Sequence, residues 1–388
     1  MNLAMIIIWC ICAFIVVWAM VGYPVFLQIL DKLIKAPQIK KDYSYVPTVT
    51  ILVVAHNEEK VIWEKLENLM TVSYPKDKLA IMVTSDFSTD QTNALVEKFI
   101  EEHKEYDIKL HKTVKHGGKT NAQNEAVRLI KTELVVMTDA NCAFDKNAVK
   151  EIVACFCNKD IKYVCGATVY VNATENRTAD SETTYWDMDS RCRDIEGRIQ
   201  TITAGDGNLY ACRTKEYKEV PLIECHDSSF PVLFSLEQGR AVFDPKSIAY
   251  EKAGENDKDE YKRKVRMNRN LFHNILPSTK ILNIFKYKWF TVFWFGHRTC
   301  RYLLWIAHLL LLLLSGALAS SNMFWLVTFV GQILFYLIAV IGILTKSNNK
   351  YVKLIAYYVM TIVSQWHGAY NIVTGKAKPT WAKAESTR

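Results

Sequence analysis

Apolar residues collect at the two ends of the chain, and the middle has the mixed pattern of a soluble protein. No charged residue occurs from Met1 to Leu30, which is long enough to cross a bilayer because about 20 apolar residues span its hydrocarbon core. A cleaved signal peptide would have a basic start, a shorter apolar core and a small-residue cleavage site, and none of these is present. We therefore predict an uncleaved transmembrane anchor over residues 1–35.

The chain becomes apolar again near its other end, where the pattern predicts three membrane spans within residues 302–374. Residues 274–301 mix aromatic and basic side chains, which is typical of an amphipathic segment lying in the membrane interface. A basic tail follows at residues 375–388. Three spans would place this tail outside. Because the last span contains Gln365, His367 and Asn371, a re-entrant segment is the alternative, and the side of the tail stays open.

Residues 45–273 alternate between strand and helix patterns. Continuous apolar, β-branched runs predict strands buried on both faces. The predicted strands are 49–55, 79–84, 133–138 and 163–171, and the predicted helices are 58–71, 90–102 and 120–131. This alternation predicts an α/β fold with a doubly wound, mostly parallel sheet. Ligands of such sheets bind beyond the carboxyl ends of the strands.

Charge and cysteine usage favour a membrane protein with a cytoplasmic central domain. The net charge of +8 would fit nucleic acid, a membrane surface or anionic small molecules, but no block of consecutive basic residues suggests a nucleic-acid partner. Lysines such as Lys32, Lys35 and Lys346 stand beside apolar stretches, as they do at the cytoplasmic margins of spans. The ten cysteines lack the spacing of a zinc site, and free thiols suit a reducing compartment.

Acidic and polar clusters follow the predicted strands in order. They are AHNEE at 55–59, SDFSTD at 85–90, TDAN at 138–141 and, in a less regular region, HDSS at 226–229. Carboxylates at the ends of buried strands need a partner, because an unpaired charge near a core is costly. One such cluster would be interpreted as a loop or a helix cap. Four in order predict a divalent cation and a polar or cationic ligand at one edge of the sheet.

Several candidate residues have simpler interpretations. The segment GGKT at 117–120 resembles the end of a phosphate-binding loop, but the required earlier glycine is replaced by Thr113. His56 and His116 are interpreted as hydrogen-bonding loop residues rather than metal ligands, and His226 either tunes Asp227 or is structural. A solvated helix face is predicted for Glu182, Asp187, Asp189 and Arg191, with Tyr185 and Trp186 beside it as an alternative sugar-stacking surface.

The order AHNEE, SDFSTDQT, GGKTNAQNEA, TDANCAFD, GDGNLYACR, HDSSF and RKVRM resembles the family 2 glycosyltransferases. It is most similar to their processive, membrane-embedded branch, which includes cellulose, hyaluronan, chitin and poly-N-acetylglucosamine synthases. The resemblance covers roughly residues 48–272. It implies a GT-A-type catalytic domain between an N-terminal transmembrane helix and a C-terminal cluster of transmembrane helices.

The resemblance implies a donor site made of seven residues: His56, Asn57, Glu58, Asp86, Lys119, Asp139 and Arg266. Asp86 matches the aspartate that contacts the uracil and ribose of the donor. Asp139 matches the first aspartate of the Asp-X-Asp motif, which binds Mg²⁺ or Mn²⁺ on the donor diphosphate. Asn141 takes the third motif position, where it would be an uncharged and weaker metal ligand.

The resemblance also implies a catalytic base and an acceptor site. Asp227 matches the family's catalytic base, with His226 where glutamate is usual. RKVRM aligns with the family's Gln-X-X-Arg-Trp motif and keeps Arg266, but Met267 replaces the tryptophan that helps to position the acceptor sugar. This departure argues against processive synthesis. The implied acceptor site consists of Gly205, Asp206, Gly207 and Arg263, the last of which replaces the motif's glutamine.

Together these observations predict an inverting glycosyltransferase, a hexosyltransferase that moves a sugar from a nucleoside-diphosphate donor such as UDP-GlcNAc or UDP-Glc to a growing β-linked polysaccharide. One alternative is transfer of a single sugar to a lipid or lipid-linked acceptor; another is an inactive subunit with a glycosyltransferase fold. The predicted partners are the donor, a glycan or lipid-linked acceptor, the lipid bilayer, and either further copies of the chain or accessory secretion subunits. The predicted location is the plasma or inner membrane of a bacterium.

Overall fold

The computed structural model of the protein describes residues 2–172, 177–252, 257–347 and 349–380. An eight-stranded sheet forms the centre of the main domain, with the strand order β3-β2-β1-β4-β7-β6-β8-β5. The first four strands in this order are parallel, β7 is antiparallel to both its neighbours, and β6 and β8 pair in parallel. The strands are β1 Val49–Ala55, β2 Leu79–Ser85, β3 Asp107–Lys112, β4 Leu134–Asp139, β5 Ala143–Phe144, β6 Ile161–Tyr170, β7 Tyr210–Arg213 and β8 Arg240–Glu251.

Helices cover both faces of the sheet and form the two ends of the chain. Their bounds are α1 Asn2–Val17, α2 Tyr23–Ile34, α3 Ile62–Met70, α4 Thr92–Glu102, α5 Lys119–Val127, α6 Ala148–Ala154, α7 Arg177–Ile199, α8 His226–Leu236, α9 Asp257–Met267, α10 Leu271–Ile275, α11 Ile284–Tyr287, α12 Trp289–Phe293, α13 Cys300–Tyr302, α14 Leu304–Leu318, α15 Met323–Leu344 and α16 Lys350–Val373. Two π-helical turns, Trp18–Gly22 and Trp294–Thr299, join α1 to α2 and α12 to α13. The prediction of a doubly wound, mostly parallel sheet is confirmed.

The register of the parallel strands brings their polar ends to one edge of the sheet. Ala55, the last residue of β1, pairs with Ser85 at the end of β2, and Val54 pairs with Asp139 at the end of β4. The clusters that follow these strands therefore meet at the same edge, as the sequence predicts. The four predicted strands lie within two residues of β1, β2, β4 and β6. The sequence pattern did not predict β3, β5, β7 or β8.

Alternating side chains of the central strands form two apolar cores. Ile51 and Val53 of β1 face the layer that contains α3, α4 and α6. Leu52 faces the opposite layer, where it joins Phe230 and Phe234 of α8. Each large apolar side chain that is fully buried in this way contributes about 1.5–3 kcal/mol of transfer free energy. The two cores hold the sheet edge, and hence the polar clusters, in a fixed position.

The N-terminal helix is longer than a membrane is thick. Leu3–Ile34 contains 32 residues, which is about 48 Å at 1.5 Å per residue, against about 30 Å of hydrocarbon core. The C-terminal part of this helix is α2, whose Tyr23 and Leu27 pack against Cys192 and Ile195 of α7. The N-terminal helix is thus packed firmly against α7.

Two helices in the described residues are long and apolar enough to cross a membrane, Leu3–Ile34 and Met323–Leu344. Only 11% of the most apolar window of each is buried inside the protein, so their apolar side chains face outward. Trp289–Tyr302 and Leu304–Leu318 meet the same criteria only as a pair, which bends by 59° and would make a third span. The predicted number of C-terminal spans stays a prediction.

Helix α16, the last of the predicted spans, lies along the catalytic domain. The hydroxyl of Tyr357 donates to Glu260 Oε1 of α9 at 3.2 Å, and Asn268 Nδ2 donates to Ser364 Oγ at 3.1 Å. After α16, the carbonyl of Pro379 accepts a hydrogen bond from Arg269 Nη1 at 3.1 Å. The described start of the basic tail therefore lies against the domain that contains the sheet.

A close contact between Gly296 and the anchor helix provides a test of this arrangement. A Cβ at Gly296 would lie 2.6 Å from Cδ2 of Tyr23, which is buried and stacks on His297. We expect Gly296→Ala to lower the free energy of unfolding by about 1–3 kcal/mol, because an overpacked core must shift. The measurement is the thermal midpoint of the purified protein in detergent.

The matched control is Gly331→Ala in α15. No heavy atom lies within 4 Å of a Cβ at Gly331, and alanine is the better helix former by about 1 kcal/mol. This variant should match or exceed the wild-type midpoint. Equal midpoints for the two variants would contradict the packing of the anchor helix against the π-helical turn.

Candidate active site

One cavity of about 320 Å³ lies at the carboxyl edge of the sheet and extends to the membrane-associated helices. It brings together all but one of the residues that the sequence predicted for the site. Those lining it are His56, Glu58, Asp86, Lys119, Asp139, Asn141, Gly205, Asp206, Gly207, Asp227, Arg263 and Arg266. The exception is Asn57, whose Oδ1 accepts a hydrogen bond from the Thr89 backbone N–H at 2.7 Å and so holds the loop after β2. The individual functions of these residues stay predictions.

The glycine loop before α5 binds a carboxylate of its own chain. The N–H groups of Gly117 and Gly118 donate to Oδ1 and Oδ2 of Asp86 at 2.9 and 2.8 Å. His116 Nδ1 lies 2.8 Å from Oδ2 of the same carboxylate. The loop that resembles a phosphate-binding segment is therefore filled by Asp86, which is buried. The two glycines therefore serve to bind Asp86, and the segment does not need the rest of the phosphate-binding pattern.

His56 and His116 stack beside Asp86, with ring centroids 4.2 Å apart. His56 Nδ1 also lies 2.6 Å from the Asp86 backbone carbonyl. The potential ligand atoms of these three residues lie within 4.8 Å of one another, so the group is close enough to hold a metal ion. Both Asp86 oxygens already accept backbone hydrogen bonds, so this carboxylate is partly occupied by its own chain. Both histidines line the cavity.

Lys119 lies among the carboxylates at the centre of the cavity. Its Nζ is 2.5 Å from Asp139 Oδ1 and 3.5 Å from the Gly207 carbonyl. Burial alone would lower the pKa of Lys119, but the carboxylates of Asp139 and Asp227 raise it. Lys119 is therefore a fixed positive charge, and its partner Asp139 remains partly exposed to the cavity, with 32% of its side chain accessible.

Asp227 is in the first turn of α8 and faces the same group. Burial is the main cause of its raised pKa; Lys119 acts in the opposite direction, and the carboxylates of Asp206 and Asp139 raise the pKa further. A carboxyl group with a raised pKa holds a proton more strongly, which is the property that a general base needs. The backbone carbonyl of Asp227 accepts a hydrogen bond from the Gly205 N–H at 2.8 Å.

Position 205 must be glycine because the backbone there closely approaches Tyr163. A Cβ at this position would lie 1.8 Å from the Tyr163 hydroxyl, and Tyr163 is fully buried. The hydrogen bond from Gly205 to Asp227 then fixes the loop against the catalytic carboxylate candidate. Gly207, two residues on, has only the flexible Lys119 ammonium at 3.1 Å from a Cβ. The two glycines of this motif therefore differ: the first is sterically necessary and the second keeps space beside Lys119.

Glu251 lines the cavity and was missed by the sequence analysis. Its Oε1 accepts a hydrogen bond from Asn141 Nδ2 at 3.0 Å, and its Oε2 accepts one from Asn208 Nδ2 at 2.6 Å. Asn141 is thus oriented by Glu251 beside Asp139. Glu251 ends β8, a strand that carries charged and proline residues and gave no strand signal, so nothing in the sequence placed its carboxylate at this edge.

His226 is structural and does not contact Asp227. Its Nε2 lies 2.7 Å from the Tyr217 hydroxyl and 2.9 Å from Asn124 Oδ1, and its Nδ1 lies 2.9 Å from Gln123 Oε1. Burial, together with the charge of Lys119, lowers the pKa of His226 to about 3, so the ring is neutral. The structural interpretation is confirmed for this histidine.

Arginines form the opposite wall. Arg263 pairs with Glu260 at 2.7 Å, and Arg266 is oriented into the cavity close to Arg263 and Arg269. Burial, followed by the charge of Arg263, lowers the pKa of Arg266 to about 10, so it is charged at neutral pH. Arg193, Arg269, Arg298 and Arg301 also line the cavity and were not predicted.

The predicted solvated helix face on α7 is wrong for Asp189. This residue is 2% exposed and lies 2.6 Å from Arg193, 2.7 Å from Arg301 and 3.1 Å from His297. Its burial follows from α7 being enclosed by α2 and the π-helical turn, which sequence periodicity does not reveal. Arg191 is exposed as predicted. The side chains of Glu182, Asp187, Tyr185 and Trp186 lie outside the described residues.

The sequence of residues 50–213 matches the family described as Glycosyl transferase family 2. This region of the chain is therefore a family 2 glycosyltransferase domain. The chain is also 32% identical over 118 residues to the probable glycosyltransferase YdaM of Bacillus subtilis, and 30% identical over 148 residues to a beta-monoglucosyldiacylglycerol synthase of Synechocystis. These matches cover 30% and 36% of this chain, and the chain spans only 28% and 30% of the length of these relatives.

A solved structure shares the fold over almost its entire length. The mannosyltransferase PcManGT of Pyrobaculum calidifontis, in complex with GDP-Man and Mn²⁺, superposes with a TM-score of 0.73. The match covers 95% of this chain and 99% of that chain at 19% sequence identity. The protein therefore has a GT-A-type fold, and the structural match extends over the helices that flank the sheet.

We predict that the Asp86 carboxylate is needed to hold the glycine loop at residues 117–118 in its conformation. In Asp86→Asn an amide N–H₂ would face one of the two glycine N–H donors, and an unsatisfied buried donor costs about 1–3 kcal/mol. We expect faster amide hydrogen exchange at Gly117 and Gly118 in this variant.

Asp90→Asn is the control, because Asp90 belongs to the same SDFSTD segment and accepts from the Thr92 N–H at 3.0 Å, just before α4. Asparagine forms this turn to the backbone two residues on as aspartate does. Exchange at Gly117 and Gly118 should therefore stay at the wild-type rate. If Asp86→Asn also left it unchanged, the loop would be held by something other than this carboxylate.

Proposed function

We propose that the protein is an inverting glycosyltransferase that moves a sugar from a nucleoside diphosphate to an acceptor at the membrane surface. The observation that carries this proposal is that Asp86, Asp139 and Asp227, from separate loops, line one cavity at the carboxyl edge of the sheet. The family 2 domain and the GT-A-type fold support it. Retention of these carboxylates with Arg266 argues against an inactive subunit.

A divalent cation fits the centre of this cavity. Asp139, Asp206, Asp227 and Glu251 all line it, and hard cations such as Mg²⁺ and Mn²⁺ prefer oxygen ligands. We propose that Asp139, with Asn141 beside it, holds the cation. The His56, Asp86 and His116 group is the second candidate, but its carboxylate is already committed to the glycine loop. A cation at Asp139 would neutralise charge that develops on the leaving diphosphate.

The remaining steps belong to side chains of the chain itself. The acceptor hydroxyl gives its proton to Asp227 as its oxygen forms a bond to the anomeric carbon. The bond from that carbon to the diphosphate oxygen breaks, and the electron pair leaves with the diphosphate. Arg266 donates charge-assisted hydrogen bonds to phosphate oxygens. Because this is a single displacement, the anomeric configuration inverts.

Asp86 and the stacked His56 and His116 are proposed to bind the nucleoside. The rings offer a flat surface on which a base can stack, and the filled glycine loop keeps Asp86 in place beside them. Uridine or guanosine diphosphate sugars are the donors to test, because the sequence predicts uridine and the mannosyltransferase of the same fold was solved with GDP-Man.

Two observations favour single-sugar transfer to a lipid-linked acceptor over polysaccharide synthesis. Met267 lines the cavity where the processive branch has tryptophan. The cavity also reaches Arg298 and Tyr302 in the segment predicted to lie in the membrane interface. Extension of a growing β-linked glycan remains the second candidate. Sizing the labelled product separates the two, since only the second gives products longer than one added sugar.

We further propose that the protein is integral to a bacterial plasma or inner membrane, with its catalytic domain in the cytoplasm. The two candidate spans support membrane insertion. Lysines that flank the apolar stretches support the orientation. Nucleotide sugars are made in the cytoplasm, which agrees with this side. Accessory secretion subunits or further copies of the chain would matter chiefly for the polysaccharide alternative.

The base assignment predicts a specific kinetic defect. Asp227→Asn should lower the transfer rate by about 10²–10⁴-fold, because proton transfer to a positioned base contributes that much. Affinity for the donor should stay close to that of the wild type. The measurement is sugar transfer from a panel of UDP- and GDP-sugars with Mn²⁺, alongside equilibrium binding of the nucleotide.

Two further readouts separate a base from a structural residue. The wild-type rate should fall as the pH drops through the raised pKa of Asp227, because protonation removes the base, and the residual activity of Asp227→Asn should lack this acid limb. Asp90→Asn, which changes a carboxylate outside the cavity, should keep the wild-type rate. Near-normal transfer by Asp227→Asn would rule out Asp227 as the base.

A further inference from the structure

The membrane end of the cavity is lined by basic side chains that the reaction described above does not use. Arg193 comes from α7, Arg298 from the π-helical turn and Arg301 from α13. They share the cavity with Asp227, so a molecule that reacts at Asp227 can extend to them. Arg266 and Lys119 lie at the donor end, where we have proposed that the diphosphate of the donor binds.

Arg298 is the basic residue whose hydrogen-bonding capacity is least used. Its Nε is buried and has no hydrogen-bond partner, and its Nη2 donates to the Tyr302 hydroxyl at a long 3.3 Å. The guanidinium lies 5.0 Å from the centre of the Tyr302 ring. Within the described residues, no carboxylate lies within 4.0 Å of Arg298. A buried donor on a charged group is costly to leave unsatisfied.

The acidic groups nearest to this segment are committed elsewhere. Asp189 contacts Arg193, Arg301 and His297. Glu196 accepts from the Tyr23 hydroxyl at 2.6 Å and lies 2.7 Å from His297 Nδ1. This buried network fixes the π-helical turn relative to α2 and α7. It also holds Arg298 at the cavity wall without supplying it with an anion.

A phosphate group is the ligand that such a guanidinium fits. Arginine presents its Nε and Nη donors as a planar fork, which matches two oxygens of a phosphate in a bidentate pair. Such pairs are stronger in a partly buried site than in water. A neutral hydroxyl or glycerol oxygen would satisfy one donor at most and would leave the charge uncompensated.

The surroundings of Arg298 point to a lipid as the source of that phosphate. The segment that precedes α12 exposes large apolar side chains: Leu282 is 58% exposed, Ile284 47% and Phe285 91%. Lys280 and Lys286 alternate with them, which is the composition of a surface that rests on lipid headgroups. The bend of 59° between α13 and α14 follows directly after Arg301.

We propose that the acceptor carries a phosphate or diphosphate group and that Arg298 binds it at the membrane end of the cavity. This inference rests on the proposed glycosyl transfer and specifies its acceptor as a saccharide or alcohol joined to a lipid through phosphate. The phosphate serves only to bind the acceptor, and none of its bonds forms or breaks in the reaction. The reacting hydroxyl of the same molecule reaches Asp227, loses its proton there and forms the new bond to the anomeric carbon.

Binding by the full-length protein in detergent micelles tests this inference independently of turnover. The probes are a polyprenyl phosphate, the neutral lipid diacylglycerol and inorganic diphosphate, each measured by native mass spectrometry. The wild type should prefer the polyprenyl phosphate to diacylglycerol by about tenfold or more, as expected for a charge-assisted pair. Arg298→Gln should lose most of this preference, and Arg298→Lys should retain part of it.

Lys262→Gln is the matched control, because it removes an exposed cation of α9 that does not line the cavity. It should bind the polyprenyl phosphate as the wild type does. A different result is that inorganic diphosphate binds in a manner that depends on Arg298 while the polyprenyl phosphate does not bind. Arg298 would then still be a phosphate site, but its ligand would be a soluble phosphorylated glycan. The thermal midpoint of Arg298→Gln shows whether that variant is folded.

Two results would overturn the inference. One is equal binding of diacylglycerol and the phosphorylated probes by the wild type, which requires no variant to fold. The other is wild-type phosphate binding in a folded Arg298→Gln variant. Phosphate binding that depends on Arg298, together with no sugar transfer from any donor, would instead count against the proposed function and leave this site in place.

Discussion

The arrangement of the site depends on the electrostatic crowding of carboxylates at one edge of a parallel sheet. Strand register places Asp139 at the end of β4 beside the end of β1, while the close approach of Gly205 to Tyr163 brings the next loop against Asp227. Lys119 is the one lysine that lines this edge in the described residues, and its ion pair is with Asp139. Burial is the main cause of the raised pKa of Asp227, and the carboxylates of Asp206 and Asp139 raise it further. The carboxylates at this edge are suitable ligands for a hard cation.

A carboxylate held by its own chain is also found at the end of the cavity where we propose that the nucleoside binds. Gly117 and Gly118 form an anion-binding turn of the kind that elsewhere takes phosphate, but here the chain supplies its own carboxylate. Asp86 is thereby fixed without a counter-charge from a lysine, and the rings of His56 and His116 stack on each other beside it. In the proposed function the base of the donor stacks on these rings, and its diphosphate contacts the basic residues that line the same cavity.

The sequence predicted the parts of the fold that are encoded locally. The four buried strands gave continuous apolar runs, and the polar clusters after them were predicted to meet because parallel strands end at one edge. β8 was missed because Asp244, Pro245 and Lys246 interrupt its pattern, although it pairs along most of its length with β6. Glu251 was missed with it. These features depend on partners distant in sequence, which periodicity cannot reveal.

The membrane side was predicted least well, for a related reason. Asp189 was assigned to a solvated helix face on the polarity of its neighbours, but α2 and the π-helical turn enclose it in an ionic network. Arg298 and Arg301 were interpreted only as interfacial charge, although they line the same cavity as the carboxylates. α16 has enough apolar residues to suggest a span, yet its polar side chains pair with α9 and the following turn. In each case the surroundings of a charged or polar residue depended on elements distant in sequence, which the local pattern did not reveal.

The central claim is that the carboxylates around Lys119 form the site of a cation-bound nucleoside diphosphate. Electron paramagnetic resonance of Mn²⁺ with the purified protein tests this most directly, with and without UDP or GDP and in wild type and Asp139→Asn. The account predicts that Mn²⁺ is retained tightly only together with a nucleoside diphosphate and that Asp139→Asn abolishes this retention. Mn²⁺ binding that needs no nucleotide, survives Asp139→Asn and is lost in His116→Ala would place the metal at the histidine pair and contradict the account.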